Sequence, residues 1–185
     1  MKYPIIGTIG DTRKGGGESI SDAFLTACEG KTVVVVTGDQ PHIGKSTTVE
    51  ALANAVGATG QKVLVIDADL RTRNGLSTKY GAVDKVCSTE NFDIQRATSK
   101  RFNLDALGSK EFEAMVENAR NEYDLVLIDT PPRVLGDDVL KAARLADGVV
   151  IVKPNDADEE MDVVGIITNA AASSRKGGGR YMWTR

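Results

Sequence analysis

Short runs of apolar residues, many of them β-branched, recur along this chain and alternate with segments that have the period of a helix. The runs lie at residues 32–37 (TVVVVT), 62–67 (KVLVID), 102–107, 124–129 (DLVLID) and 148–152. Runs this short and this apolar are typical of strands that are buried on both faces. Strands that alternate with helices favour a mostly parallel central sheet with helices on both faces. We therefore predict an α/β fold.

The segments between these runs predict amphipathic helices. Apolar residues share one helical face in three of them, at 46–58, 112–119 and 138–146. An earlier helix is expected around Phe24. Residues 70–100 are mostly polar, and they predict little beyond a short helix at 90–97.

The segment at 163–168 allows two interpretations. Its sequence, VVGIIT, suits a strand, but only a short connection separates it from the run at 148–152. A parallel crossover needs a dozen or more residues. We therefore expect a helix over 158–173, followed by a turn at 175–179 and a final strand over 181–184.

The composition narrows the classes of function. A chain of 185 residues most simply forms one domain, with an N-terminal segment and helix at 1–30 and the main globular part at 31–185. The net charge of −3 makes nucleic acid a poor partner, because duplex-binding domains are usually basic. Basic residues near the C-terminus are expected to be solvated, with a contact to anionic lipid as the alternative.

The cysteines and the hydropathy indicate the compartment. Cys28 and Cys87 have no metal-ligand spacing and form no disulfide framework, which fits a reducing cytoplasm. No run approaches the roughly 18 apolar residues of a membrane span, and the N-terminus has no signal-peptide pattern. We expect a cytoplasmic chain; membrane segments in a longer natural protein are a separate question.

The sequence TGDQPHIGKST, at residues 37–47, lies between a predicted buried strand and an amphipathic helix. A phosphate-binding loop requires this context, because the N–H groups at the start of a helix favour negative charge. In such a loop Lys45 reaches the β- and γ-phosphates, the Ser46 hydroxyl ligates Mg²⁺, and Gly44 lets the backbone approach closely. The predicted nucleotide-binding residues are Pro41, His42, Ile43, Gly44, Lys45, Ser46 and Thr47.

The match to the pattern GxxxxGK[ST] is imperfect, since Gly38 lies one residue too early. A surface turn before a helix is the alternative interpretation, and His42 is expected to be a solvated loop residue. The order of strand, loop and helix nevertheless favours a P-loop NTPase fold that binds ATP and Mg²⁺.

Acidic residues end two of the predicted strands. Asp67 and Asp69 are two residues apart and therefore on the same side of an extended backbone. Asp129 ends the run DLVLID, and the prolines after it stop the strand. Carboxylates at the carboxyl ends of parallel strands lie at the ligand edge of an open α/β sheet. We predict that these three surround a metal site, with a polar loop after a strand as the alternative.

Taken together, the motifs resemble those of a known family. The GKS loop at 44–46, the DxDxR sequence at 67–71 and the IDTPP sequence at 128–132 are similar to the Walker A, A′ and B motifs of bacterial tyrosine kinases of capsule and exopolysaccharide synthesis. The resemblance covers most of residues 4–155.

The resemblance implies roles for these residues. Lys45 binds ATP, and Asp67 is the catalytic acidic residue. Arg71 completes the A′ motif. The catalytic residues implied in this way are Lys45, Asp67 and Arg71, and the metal-binding residues are Ser46, Asp69 and Asp129. The family also implies a membrane-embedded polysaccharide co-polymerase or chain-length regulator as partner, fused or separate, and a position at the inner face of the plasma membrane.

The chain departs from related patterns at several positions. Partitioning ATPases carry a signature lysine where this chain has Gln40, which favours the kinase branch. Ser21 and Phe24 occupy the places of two arginines that assemble a ring in the kinases. The C-terminal tyrosine cluster is absent, with Tyr181 alone in that region. We therefore expect at most a weak homo-oligomeric ring and little C-terminal autophosphorylation.

Three functions remain open from the sequence. The first is an ATP- and Mg²⁺-dependent protein tyrosine kinase. The second is a positioning ATPase of the partitioning type, which Gln40 disfavours. The third is a nucleotide-sensing module with little turnover that regulates a membrane polysaccharide assembly.

Overall fold

The computed structural model of the chain describes residues 5–9, 18–71, 75–83, 85–98, 105–133, 137–153 and 163–169. Within them the strands are β1 (Ile5–Ile9), β2 (Val33–Gly38), β3 (Val63–Asp67), β4 (Cys87–Ser88), β5 (Asp93–Arg96), β6 (Leu125–Asp129), β7 (Gly148–Lys153) and β8 (Val163–Asn169). The helices are α1 (Glu18–Ala27), α2 (Lys45–Gly57), α3 (Leu76–Lys79), α4 (Lys110–Glu122) and α5 (Asp138–Ala143), with a 3-10 turn at Ala106–Gly108. None of the described helices is long and apolar enough to cross a bilayer.

The strands form one eight-stranded sheet in the order β1-β8-β7-β2-β6-β3-β5-β4. Neighbouring strands pair in parallel, except that β4 and β5 are antiparallel. The prediction of an α/β fold with a mostly parallel sheet is confirmed. In this order β2 lies beside β6, and β6 lies beside β3, so the strands that carry the predicted motifs are neighbours.

Alternate residues of β2 divide the core between the two faces of the sheet. Val34 and Val36 pack in a cluster with residues of α1 and α2, whereas Val33 and Val35 pack in a cluster with residues of α4 and α5. All four valines are fully buried, as expected of a strand that helices cover on both faces. Burial of each side chain stabilises the fold by roughly 1.5–3 kcal/mol.

The strand β8 contradicts the helix that was expected over 158–173. It pairs in parallel with β7 on one side and with β1 on the other. Its β-branched residues favour a strand, and two partner strands outweigh the short connection on which the helix prediction depended. The predicted turn at 175–179 and final strand at 181–184 lie outside the described residues. The division of the chain at residue 30 stays a prediction.

The polar segment before α4 was also predicted incorrectly. A strand, β5, lies where a short helix was expected at 90–97, and it pairs in parallel with β3. Ile94 is its only fully buried residue, so the strand has no apolar run that a sequence pattern could detect. In the run at 102–107, the part that is described forms a turn and a 3-10 helix instead of a strand.

Asp147 joins the start of β2 to α4 and to the turn before β7. Its Oδ2 accepts hydrogen bonds from the N–H groups of Thr32 and Val33 at 2.9 and 2.8 Å, and the Arg120 guanidinium lies 2.7 and 2.6 Å from its two oxygens. Burial acts to raise the pKa of Asp147, but the hydrogen bonds from Val33 and Arg120 outweigh burial and lower it. Because the pKa of Asp147 is lower in the folded protein than in the unfolded chain, the ionised carboxylate stabilises the fold at neutral pH. This stabilisation is lost as the pH falls through the pKa of Asp147 in the folded protein.

We expect Asp147→Asn to lower the free energy of unfolding at pH 7 by about 1–3 kcal/mol, because a charged acceptor of several hydrogen bonds is lost. Urea unfolding at pH 7 and at pH 3 measures this, and the difference from the parent should shrink at the lower pH. Asp137→Asn is the matched control, since Asp137 is exposed and its side chain makes no cap hydrogen bond. Equal losses in the two variants would contradict the role of Asp147.

Candidate functional site

The loop between β2 and α2 ends in a helix start that can receive an anion. Gly44 is the N-cap of α2 and has a φ of 90°, in the left-handed region that favours glycine. Its carbonyl oxygen accepts hydrogen bonds from the N–H and the hydroxyl of Thr48 at 2.8 and 2.9 Å. No side chain caps this helix, and the first N–H groups of a helix have no acceptor within it. The geometry therefore fits a phosphate-binding turn.

The space beside the Cα of Gly38 is too small for any side chain. A Cβ at this position would lie 2.5 Å from Cδ1 of Ile43 and 3.0 Å from the carbonyl oxygen of Val152. Gly38 thus allows the loop to fold closely over the end of β2, although it lies one residue early for the loop pattern. The next residue, Asp39, forms an ion pair of 2.5 Å with Arg133, which follows β6. The start of the loop is therefore tied to the end of the neighbouring strand.

Lys45, the first residue of α2, is buried beside an acidic residue. Its side chain is only 6% exposed, and its Nζ lies 3.9 Å from Oδ2 of Asp69. A buried ammonium group requires opposite charge nearby. The structure therefore brings together Lys45 of the loop and Asp69 at the end of β3, whose roles toward phosphate and metal stay predictions.

Asp67 and Asp129 lie opposite each other on the neighbouring strands β3 and β6. They are 2% and 1% exposed. Among the described residues, Oδ1 of Asp67 and both side-chain oxygens of Asp129 have no partner at hydrogen-bond geometry. Ser46 is nevertheless close enough to Asp129 to favour the ionised form of that carboxyl. The described part of the site thus contains buried acceptor oxygens without a hydrogen-bond partner in the protein.

Burial raises the pKa of two acids of the site, Asp129 and Asp69. It raises the pKa of Asp129 to about 7; Ser46 and Lys45 oppose this shift, and the two other acids add to it. Burial also raises the pKa of Asp69, an effect that Lys45 opposes. A cation at this place would favour the ionised carboxylates. The electrostatics therefore fit a site for a divalent cation.

The donor set fits Mg²⁺ bound together with a nucleotide. The described residues contain no group of three or more His, Cys, Asp and Glu side chains that could hold a metal ion on their own. Mg²⁺, however, usually keeps several waters and binds through one or two carboxylates plus substrate phosphates. The carboxylates of Asp129 and Asp69, with the Ser46 hydroxyl close to Asp129, match that requirement.

The side chain of Arg71 is paired with an acidic residue of α5. Its guanidinium pairs with Asp138 at the start of α5, with Nη2 2.7 Å and Nε 3.2 Å from the same Oδ2. Its backbone N–H and its charge both help to keep Asp69 ionised. The predicted catalytic role of Arg71 therefore stays a prediction, and its observed side-chain contact is with α5.

Two residues that contact Asp67 were not predicted from the sequence. Ser77 donates two hydrogen bonds to Oδ2 of this carboxylate, and Gly75 packs against the same oxygen. Both lie in the polar segment at 70–100, in a part of it where no hydrophobic pattern indicates a helix. The sequence GLS after the A′ motif was the available signal, but it is too short to be specific by itself.

Of the remaining predicted loop residues, Ile43 is buried and the others are more exposed. His42 is exposed and has a positive φ of 60°, Thr47 is exposed, and Pro41 is half-buried. A separate cavity of about 360 Å³ lies between α4 and β5, lined by Gln95 and Met115 among others. None of the predicted site residues lines this cavity.

These features define the class of protein. A strand leads through a glycine-containing loop into a helix start, and buried acids end the neighbouring parallel strands, as in P-loop nucleotide-binding proteins. The family model described as ATPase MipZ matches residues 32–181. The chain therefore belongs to this ATPase family. Both the fold and the family imply that it binds a nucleotide.

Three similar proteins illustrate the range of relatives. The septum site-determining protein MinD of Synechocystis is 27% identical over 159 residues, which are 73% of this chain and 59% of MinD. The tyrosine-protein kinase wzc of Salmonella typhimurium is 33% identical over 138 residues, which are 65% of this chain and 19% of that protein. The solved BceF tyrosine kinase domain is 27% identical with a TM-score of 0.70, covering 84% of this chain and 76% of that domain.

The similarity to bacterial tyrosine kinases that the motifs predicted is thus confirmed, together with a relationship to MinD-like ATPases. The chain spans less than two thirds of MinD and about a fifth of the Salmonella kinase. The similarity therefore does not by itself assign the activity of those longer proteins to this chain.

Proposed function

We propose that this chain is an ATP- and Mg²⁺-dependent protein tyrosine kinase domain of the bacterial type, which regulates the synthesis or export of capsule or exopolysaccharide. The observation that carries the proposal is the buried pair Asp67 and Asp129 on adjacent strands, beside Lys45 and Ser46. The similarity to the Salmonella kinase and to the BceF kinase domain favours tyrosine as the acceptor.

In this proposal each residue has a distinct part. Lys45 and the N–H groups at the start of α2 hold the phosphates. Ser46, Asp69 and Asp129 hold Mg²⁺, which would neutralise charge on the transferred phosphoryl group. Asp67 would accept the proton of the tyrosine hydroxyl, while the hydroxyl oxygen bonds to the γ-phosphorus and the bond from that phosphorus to ADP breaks. Catalysis then depends on positioning and on charge, without covalent chemistry by the protein.

The proposed partner is a membrane-embedded polysaccharide co-polymerase or chain-length regulator, fused to this chain or separate. The proposed location is the cytoplasm, at the inner face of the plasma membrane. The resemblance of the motifs to those of bacterial tyrosine kinases of capsule and exopolysaccharide synthesis supports both. A strong ring of copies is not expected, because Phe24, at the place of a ring arginine, is fully buried in the core.

A positioning ATPase is the second candidate function. The match to the ATPase MipZ model and the similarity to MinD favour it, whereas Gln40 in place of the signature lysine disfavours it. A nucleotide-sensing module with little turnover, which regulates a membrane polysaccharide assembly, is a third candidate function, and the pairing of Arg71 with Asp138 supports it. The two main candidates differ in the fate of the γ-phosphate.

Incubation with γ-labelled ATP and Mg²⁺, with free phosphate and protein-bound phosphotyrosine measured separately, distinguishes these functions. We expect phosphotyrosine from the parent, and at least tenfold less from Asp67→Asn and Asp69→Asn, with ATP affinity changed much less. Asp105→Asn is the matched control, since this carboxylate is almost fully exposed. Free phosphate without phosphotyrosine would favour the positioning ATPase, and parental turnover in both site variants would make these carboxylates structural.

A further inference from the structure

The short helix α3 holds one oxygen of Asp67. The N–H and the hydroxyl of Ser77 both donate to Oδ2, at 2.8 and 2.5 Å. The contact is closed to solvent, because Ser77 is 1% exposed and Asp67 is 2% exposed. The other oxygen, Oδ1, has no hydrogen-bond partner among the described residues. The two oxygens of this buried carboxylate are therefore in different environments.

Gly75, the N-cap of α3, makes this contact sterically feasible. A Cβ on Gly75 would lie 2.6 Å from Oδ2 and 3.2 Å from Oδ1 of Asp67. Its φ of −69° is one that any residue adopts. Glycine is therefore required here by the space beside the carboxylate and not by the backbone conformation.

The far end of α3 is attached to α2, the helix that begins at the phosphate loop. Nζ of Lys79 lies 2.5 Å from Oε1 of Glu50, and the hydroxyl of Tyr80 donates to the same oxygen. The Tyr80 ring also packs edge-on against Phe92, with centroids 5.6 Å apart. α3 therefore bridges Asp67 and the phosphate-loop helix.

We propose that Ser77 and Gly75 form a positioning clamp for Asp67, which fixes Oδ2 and leaves Oδ1 as the oxygen that serves the reaction. The inference rests on the proposed function, because it assigns the clamp a part in that phosphoryl transfer. Ser77 acts through Asp67 and is a positioning residue. A carboxylate that is held before the substrate arrives needs no rearrangement during the reaction.

The contact itself can be tested without any nucleotide. Thermal unfolding is compared for the parent, Ser77→Ala, Asp67→Ala and the double variant. We expect Ser77→Ala to lower the Tm by roughly 2–4 °C in the parent and to have less than half that effect once Asp67 is absent, because contacting residues are not additive. Equal Tm losses in both backgrounds would overturn the clamp.

The role of the clamp is tested by kinetics. We expect Ser77→Ala and Gly75→Ala to lower kcat by about 10- to 100-fold, as loss of a supporting hydrogen bond usually does, with the Kd for ATP and Mg²⁺ unchanged within about twofold. Tyr80→Phe is the matched control, since it removes a contact of the same segment but not one with Asp67.

The outcomes separate this inference from the proposed function. Parental kcat in Ser77→Ala, or an equal loss in Tyr80→Phe, would overturn the clamp while leaving the kinase proposal standing. ATP hydrolysis without phosphotyrosine in the parent would remove the kinase proposal, and the same kcat comparison would then be made on released phosphate. A parent protein that neither forms phosphotyrosine nor hydrolyses ATP would overturn both the kinase proposal and the role of the clamp. The Tm comparison of the single and double variants would still measure the contact between Ser77 and Asp67.

Discussion

Replacement of Lys45 by Met should reduce the affinity for ATP and Mg²⁺ on the order of 100-fold, because hydrogen bonds from a charged donor to phosphate are lost in a buried place. The fold should survive. Lys45 opposes the raised pKa values of Asp69 and Asp129, so its removal lets these acids take up protons instead of leaving unpaired charges. Isothermal titration with ATP and Mg²⁺ measures the affinity, and circular dichroism measures the fold.

Lys110→Met is the matched control for this variant, since Lys110 is exposed at the first position of α4. It should bind ATP as the parent does. Unchanged affinity in Lys45→Met would remove the phosphate-loop assignment. A loss of folded structure would show instead that Lys45 is needed to balance the buried acids.

The second large effect is expected from Asp129→Asn, which should stabilise the nucleotide-free protein and abolish its Mg²⁺-dependent turnover. Burial raises the pKa of Asp129 in the folded protein to about 7. The protonated Asp129 therefore contributes its full stabilisation below the pKa that this residue has in the unfolded chain. That stabilisation is lost as the pH rises through 7, where the buried carboxyl ionises. Asparagine cannot ionise. At pH 8 it should therefore raise the free energy of unfolding by roughly 2–4 kcal/mol.

The same substitution removes an oxygen ligand with negative charge from the proposed Mg²⁺ site, so turnover should fall by about 100-fold or more. Urea unfolding from pH 4 to pH 8, paired with phosphate release, measures both effects. Asp105→Asn should change neither. An Asp129→Asn variant that is less stable than the parent at pH 8 would contradict the burial cost, and parental turnover would contradict the metal role.

Much of the site could be predicted because its signals are local. A buried strand followed by GKS and a helical period identifies a phosphate loop within a few residues, and Asp67 and Asp129 each directly end an apolar run. Parallel strands then bring such ends to one edge of the sheet. The structure agrees, since Asp67 and Asp129 lie in register on adjacent strands.

The sequence by itself thus determined the α/β class, the phosphate loop and the acids around it. The tertiary structure decided that β8 lies between β7 and β1, that the polar segment contains β5, and that Arg71 pairs with Asp138, 67 residues away. It also decided that Ser77 holds Asp67. These features depend on pairing between distant segments, or on one hydrogen bond in a polar stretch, and neither leaves a periodic pattern of buried apolar residues from which it could be predicted.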